Sequence, residues 1–185
     1  MKQLGILIFD DVEVLDFAGP FEVFSVANQL TDYKILAVQT LAYGPGLIRA
    51  KNGLQVLPDK SLEQLNQLDF LVLPGGDGSK NVIQNPSLMA SLQNLVSQTA
   101  WTMSVCSGSR ILGKSGFLDH KPYCTHQEVF DSMASLVPTG IPKQEHRFIQ
   151  SDSRIWTAAG ISAGIDLALH LVELTFGKEL ALATA

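Results

Sequence analysis

A chain of 185 residues with 46% hydrophobic and 17% charged residues has the length and apolar content for one compact domain, not a disordered segment. Thirteen basic residues against 18 acidic ones leave a net charge of −5 with no basic run, which argues against nucleic-acid binding by electrostatics. Two cysteines do not indicate a disulfide scaffold, no stretch is long enough to span a bilayer, and Asp10 and Asp11 interrupt the short apolar start before it makes a signal sequence. The expected chain is therefore cytoplasmic, with reduced thiols and no membrane partner.

The predicted elements alternate. Leu4–Phe9 is a continuous apolar run suited to a strand covered on both faces. A loop over Asp10–Gly19 follows, with Pro20 at the first position of a helix that runs to about Leu30. Tyr33–Thr40 is a second strand. Leu47–Ala50 and Leu54–Leu57 flank Lys51-Asn52-Gly53, where Asn-Gly signals a tight hairpin. Ser61 caps a short helix containing Leu62 and Leu65. Asp69–Leu73 is a further buried strand, closed by Pro74-Gly75-Gly76-Asp77-Gly78. Pro86–Thr99 is a helix with Leu88, Leu92, Leu95 and Val96 on one face. An apolar strand then ends at Cys106, and Ser107–Lys114 is a short helix. Tyr123–Thr125 is a strand candidate, with a helix from about His126 to Met133. Arg147–Gln150 and Arg154–Thr157 pair around Ser151-Asp152-Ser153. Ser162 begins a last helix through Phe176, ended by Gly177. This alternation implies an α/β fold with a mostly parallel sheet and helices on both faces, and ligands then bind beyond the carboxyl ends of the strands. Three candidate segments fall there: Asp10–Gly19, Gly75–Gly78 and Cys106–Gly108.

Cys106 is the most informative residue. Small residues stand two positions before and after it, Ser104 and Gly108, as a sharp strand-to-helix turn carrying a nucleophile requires. A thiol at a helix start is expected to have a lowered pKa. The competing reading is a buried structural cysteine. Gly75 and Gly76 let backbone N–H groups approach developing negative charge, with the Ser107 N–H as a further donor; an ordinary glycine-rich strand exit is the alternative. On its residues alone Asp16 is an ordinary loop aspartate or cap, with Glu13 an exposed acid nearby. His126 is a pocket candidate or a helix cap. Asp166 suits the first turn of the last helix, Cys124 a packed apolar position, and the four histidines show no metal-ligand spacing.

Five segments, in order, resemble the ThiJ/PfpI superfamily. They are Leu15-Asp16-Phe17-Ala18-Gly19-Pro20, Leu73-Pro74-Gly75-Gly76-Asp77-Gly78, Ser104-Val105-Cys106-Ser107-Gly108-Ser109, Cys124-Thr125-His126, and Ala159-Gly160-Ile161-Ser162-Ala163-Gly164-Ile165-Asp166. Asp-x-x-Gly-Pro after the first strand is similar to the isonitrile hydratase-like branch. The resemblance implies a flavodoxin-like, class I glutamine amidotransferase-like sandwich, a homodimer, and no metal or organic cofactor. It implies that Asp16 partners Cys106 as the catalytic pair. Gly75, Gly76 and Ser107 would then bind the substrate's polar end, with Phe17, His126 and Ile161 bounding the pocket. The implied reaction hydrates a small isonitrile to an N-substituted formamide. Two other readings keep the same fold: a non-catalytic metabolite or oxidant sensor, and a glyoxalase or deglycase acting on 2-oxoaldehydes. Ser107 stands where branch members carry threonine, which bears on substrate identity. It also stands where the protease-like branch has a histidine, so peptidase activity is disfavoured. Relatives of the branch often continue into a helix-turn-helix domain; a single domain over residues 1–185 without it, and no nucleic-acid partner, is expected.

Overall fold

The computed structural model of the protein describes residues 1–65 and 67–185. Strands β1 (Lys2–Leu7), β2 (Leu36–Ala42), β3 (Ile48–Arg49), β4 (Gln55–Val56), β5 (Lys60–Ser61), β6 (Phe70–Leu73), β7 (Trp101–Val105), β8 (Pro122–Tyr123), β9 (Ile141–Pro142), β10 (Phe148–Gln150) and β11 (Ile155–Ala158) alternate with helices α1 (Val14–Gln29), α2 (Ser79–Val82), α3 (Pro86–Gln98), α4 (Ser109–Lys114), α5 (Phe130–Leu136), α6 (Ile161–Phe176) and α7 (Lys178–Thr184). The main sheet has seven strands in the order β10-β11-β7-β6-β1-β2-β5. Every pair in it is parallel except β10–β11. The α/β architecture expected from the alternation is therefore present.

The apolar runs form strands because both sheet faces are covered. All four residues of β6, Phe70–Leu73, are buried, and so are Leu4–Leu7 of β1. In α3, Leu88, Leu92, Leu95 and Val96 make the buried stripe that their helical spacing predicts, each stabilising by about 2 kcal/mol on burial. Asn85 caps it, its side chain accepting from the Leu88 N–H at 3.1 Å, and Pro86 opens it. Helices α1, α6 and α7 contact one another as one group, while α2, α4 and α5 make a second. Phe24 of α1 reaches Phe70 of β6 with ring centroids 5.8 Å apart. Gly164 brings α6 onto the strand below Cys106; a Cβ there would stand 2.6 Å from Val105 Cγ1.

Several boundaries differ from the sequence expectation. The largest difference is at α1, which starts at Val14, so that Asp16 lies in its first turn and Pro20 inside it. Proline removes the N–H that would bond the Asp16 carbonyl, a local cost normally of about 3 kcal/mol. Packing of α1 on α6 outweighs it, and the fixed φ of proline is itself helical. The Asn52-Gly53 hairpin forms as expected, Asn52 adopting φ 62° and Gly53 φ 91°, with β3 and β4 antiparallel. Helix α7 was not anticipated.

Candidate active site

The site begins at a strained turn. Cys106 has φ 55°, a left-handed conformation that a residue with a Cβ adopts at a cost of order 1–3 kcal/mol. Its backbone is pinned from two directions. The Cys106 N–H donates to the Ala159 carbonyl at 2.5 Å, beyond the end of β11. Its carbonyl accepts from the Thr125 hydroxyl at 2.8 Å, and Ser109 donates to that hydroxyl, also at 2.8 Å. The small neighbours are needed: a Cβ on Gly108 would lie 2.8 Å from the Pro74 carbonyl oxygen.

The loops after β1 and β6 are stitched together beside this turn. Val12 and Gly76 form an isolated antiparallel bridge, and the Glu13 N–H donates to the Gly75 carbonyl at 3.0 Å. This fixes the start of α1 and places Asp16 under Gly75, with no solvent exposure. The Gly75 N–H donates to Asp16 Oδ2 at 3.1 Å. The other functional group facing Asp16 is the Cys106 thiol. Asp16, Gly75, Cys106 and Ser107 are thus brought together. A Cβ on Gly75 would stand 2.6 Å from Ser107 N, 2.7 Å from its Oγ and 2.9 Å from Asp16 Oδ2.

The electrostatics differ from the expected lowered thiol. Burial pushes the Cys106 thiol up to about 12, and the adjacent Asp16 charge adds to the effect; the Ser107 N–H opposes it. Burial also raises the Asp16 carboxyl to about 6, against the stabilising Gly75 N–H and the thiol, with Glu13 adding to the rise. The helix start after Cys106 is a three-residue 3-10 turn running into a six-residue helix, so its dipole is small beside these effects. Burial and mutual repulsion therefore oppose a second negative charge, and the pair favours one anion over two near neutrality.

The backbone donors are also arranged differently from expectation. The Gly75 N–H is engaged by Asp16, and the Gly76 N–H by Ser107 Oγ at 2.9 Å. The Ser107 N–H faces the thiol. All three lie beside the cysteine, but they are engaged by Asp16, Ser107 Oγ and the thiol.

A cleft of about 530 Å³ opens over the turn. Gly76, Cys106, Ser107, His126 and Ile161 line it, while Asp16 is sealed beneath the turn. Phe17 does not reach the cleft wall; at 6% exposure it belongs to the core, because α1 begins early and turns it inward. His126 caps the turn Gln127–Val129, its Nδ1 accepting from the Glu128 N–H at 3.4 Å. Glu13 is half-buried at the cleft, not exposed, and Arg110 also lines it. Arg110 escaped the sequence reading, although its spacing of four from Cys106 puts it one helical turn further along the same side. Asp166 lies too far along α6 to serve its first turn and instead accepts from Arg147 Nε at 2.6 Å; Ser162 accepts from the same guanidinium and does not cap α6. Cys124 is buried, its thiol donating to the Thr157 carbonyl at 2.9 Å. Among the described residues no group of three or more His, Cys, Asp or Glu could hold a metal ion, and no helix is long and apolar enough to cross a membrane.

Comparison with known proteins places this geometry in context. The profile of the DJ-1/PfpI family matches residues 2–174. An isonitrile hydratase from Pseudomonas putida is 31% identical over 181 residues, covering 97% of this chain and 74% of the relative. The crystal structure of a ThiJ/PfpI family protein from Pseudomonas syringae superposes with a TM-score of 0.88 at 25% identity, over 99% of this chain and 72% of that one. The HTH-type transcriptional regulator GbdR of Pseudomonas aeruginosa is 27% identical over 98% of this chain, which spans 49% of the regulator's length. The regulator CdhR is a second such relative, of which the chain spans 52%. These relatives correct the expectation of no nucleic-acid partner. The family domain occurs within transcription regulators, and the acidic charge that suggested otherwise describes this stretch of chain alone. The chain belongs to the DJ-1/PfpI family.

Proposed function

We propose that the chain is an isonitrile hydratase-like enzyme that converts R–NC and water into an N-substituted formamide, with Cys106 as nucleophile and Asp16 as its proton carrier. The observation that carries this reading is a fully buried carboxyl, Asp16, facing the thiol of Cys106 at the floor of an open cleft. The Asp16 carboxylate takes the thiol proton as sulfur bonds to the terminal isonitrile carbon. Asp16 then returns that proton to the same carbon, giving a thioimidate, R–N=CH–S–Cys106. Water adds to its carbon while nitrogen gains a proton. Collapse breaks the C–S bond, releases R–NH–CHO and leaves the thiol protonated again.

The engaged amides favour this chemistry over attack on a 2-oxoaldehyde. Attack on a carbonyl builds an alkoxide that needs free donors, and the Gly75 and Gly76 N–H groups are already bonded to Asp16 and Ser107. Attack on an isonitrile builds charge at the carbon, where a proton quenches it. The raised thiol also weighs against an oxidant sensor, because burial and the adjacent Asp16 charge disfavour the free thiolate that an oxidant attacks. The test is formamide production from cyclohexyl isonitrile by the purified protein and by Cys106→Ala. The reading expects product from the first and none from the second; no product from the intact protein refutes it.

A further inference from the structure

Arg110 is a charged side chain of the cleft to which the reaction above gives no task, and it forms no salt bridge among the described residues. It stands on α4, on the same side of the chain as Cys106, and it is half-buried. Its Nη1 donates to Ser79 Oγ at 3.0 Å, and that hydroxyl donates to the Gly76 carbonyl at 2.7 Å, so one edge of the guanidinium is anchored to the loop after β6. Its Nη2 lies 3.5 Å from Ser132 Oγ, at the limit of a hydrogen bond. Among the described residues no carboxylate pairs with it. Asp77, the nearby acid, is instead bonded to Lys51 and, at 3.2 Å, to Lys80. Partial burial costs the guanidinium solvation, and the pull of this cost is toward a lowered pKa. A planar fork fixed at one edge, with donors left over and no carboxylate bonded to it, matches a carboxylate.

We propose that Arg110 is a specificity residue that receives a carboxylate carried by the small-molecule substrate, while the reacting carbon meets Cys106. This rests on the hydratase reading and narrows its substrate class to carboxylate-bearing isonitriles. A single-charge carboxylate fits better than a phosphate dianion. The other cation of the wall, Lys80, is already paired with Asp77, and the acids Glu13 and Glu128 line the same cleft. At about 530 Å³ the cleft also has room for a substituent beyond the reacting group.

The test joins binding to turnover. Calorimetry compares N-formylglycine with N-formylglycinamide on the intact protein, on Arg110→Gln and on Arg110→Lys, with circular dichroism and melting temperature confirming that each variant is folded. Turnover compares 2-isocyanoacetate with its methyl ester. The intact protein is expected to favour the carboxylate member of each pair at least tenfold, the preference appearing in KM. Arg110→Gln brings both ratios close to one, and Arg110→Lys restores part of them. Absence of a carboxylate preference in the intact protein overturns the proposal, whether both ligands bind alike or neither binds. A preference that survives Arg110→Gln overturns it too. If the binding preference is present and neither isonitrile is turned over, the carboxylate site stands and the hydratase reading falls. If both isonitriles are hydrated at equal efficiency, the hydratase reading stands and Arg110 loses this role.

Discussion

Replacing Asp16 by asparagine should make the protein more stable at neutral pH. The carboxyl is raised by burial from 3.8 to about 6, so the folded state binds its proton more tightly than the unfolded chain does. For a raised carboxyl the stabilising contribution is complete below about pH 4. It is lost as pH climbs through 6, where the buried group must ionise. At about 1.4 kcal/mol for each pH unit separating the two values, the loss is roughly 2–3 kcal/mol. Asparagine keeps an oxygen to accept the Gly75 N–H and carries no charge. The thiol does not titrate anywhere near this range, so it does not enter the difference. Urea unfolding of both proteins at pH 4, 5, 6 and 7 measures it. The stability difference should be small at pH 4 and grow to roughly 2–3 kcal/mol in favour of Asp16→Asn by pH 7, with unchanged m-values. Parallel profiles across this range would refute the reasoning, because they would mean that the Asp16 charge is solvated or already compensated.

Four other outcomes are expected. The kcat/KM for a neutral isonitrile should rise as pH passes about 6, where Asp16 becomes able to accept the thiol proton, and Asp16→Asn should lower it by about 10²–10⁴-fold and abolish that limb. Iodoacetamide should label Cys106 slowly at pH 8 and faster in Asp16→Asn, since removing the neighbouring anion lowers the thiol pKa; mass spectrometry of the labelled peptide reads this directly. Gly75→Ala should destabilise by about 1–3 kcal/mol and suppress turnover, because its Cβ falls among Ser107 and Asp16 atoms, and thermal melting with an activity assay checks both. Thr125→Val should cost about 1–2 kcal/mol in urea unfolding and reduce activity, because the strained Cys106 loses the hydroxyl that holds its carbonyl.

The sheet was readable because its strands are apolar runs bounded by glycine and proline, a pattern that buried parallel strands impose. The turn at Cys106 was readable because collision with the end of the neighbouring strand β6 leaves room for only a glycine at position 108. Asp16 was not readable from local chemistry. Proline at position 20 is a strong local signal for a helix start, and the true start at Val14 is set by the bridge between Val12 and Gly76, a contact between distant loops. The same early start turned Phe17 into the core. The thiol's direction of shift was missed because the helix start is visible in sequence, whereas the burial that outweighs it is a property of the assembled fold. Arg110 was hidden within a short helix whose apolar residues drew the reading; spacing from Cys106 was the available signal.

The way Cys106 is pinned has a consequence for how the protein matures. Its amide is held by Ala159 and its carbonyl by Thr125, both supplied by later stretches of the chain. During synthesis the turn therefore remains free to relax to an ordinary backbone angle until the C-terminal third has emerged and β11 has docked against β7. The strained angle at Cys106 arrives with the closing strands of the sheet, and a nascent chain halted before them would carry the cysteine in a relaxed backbone.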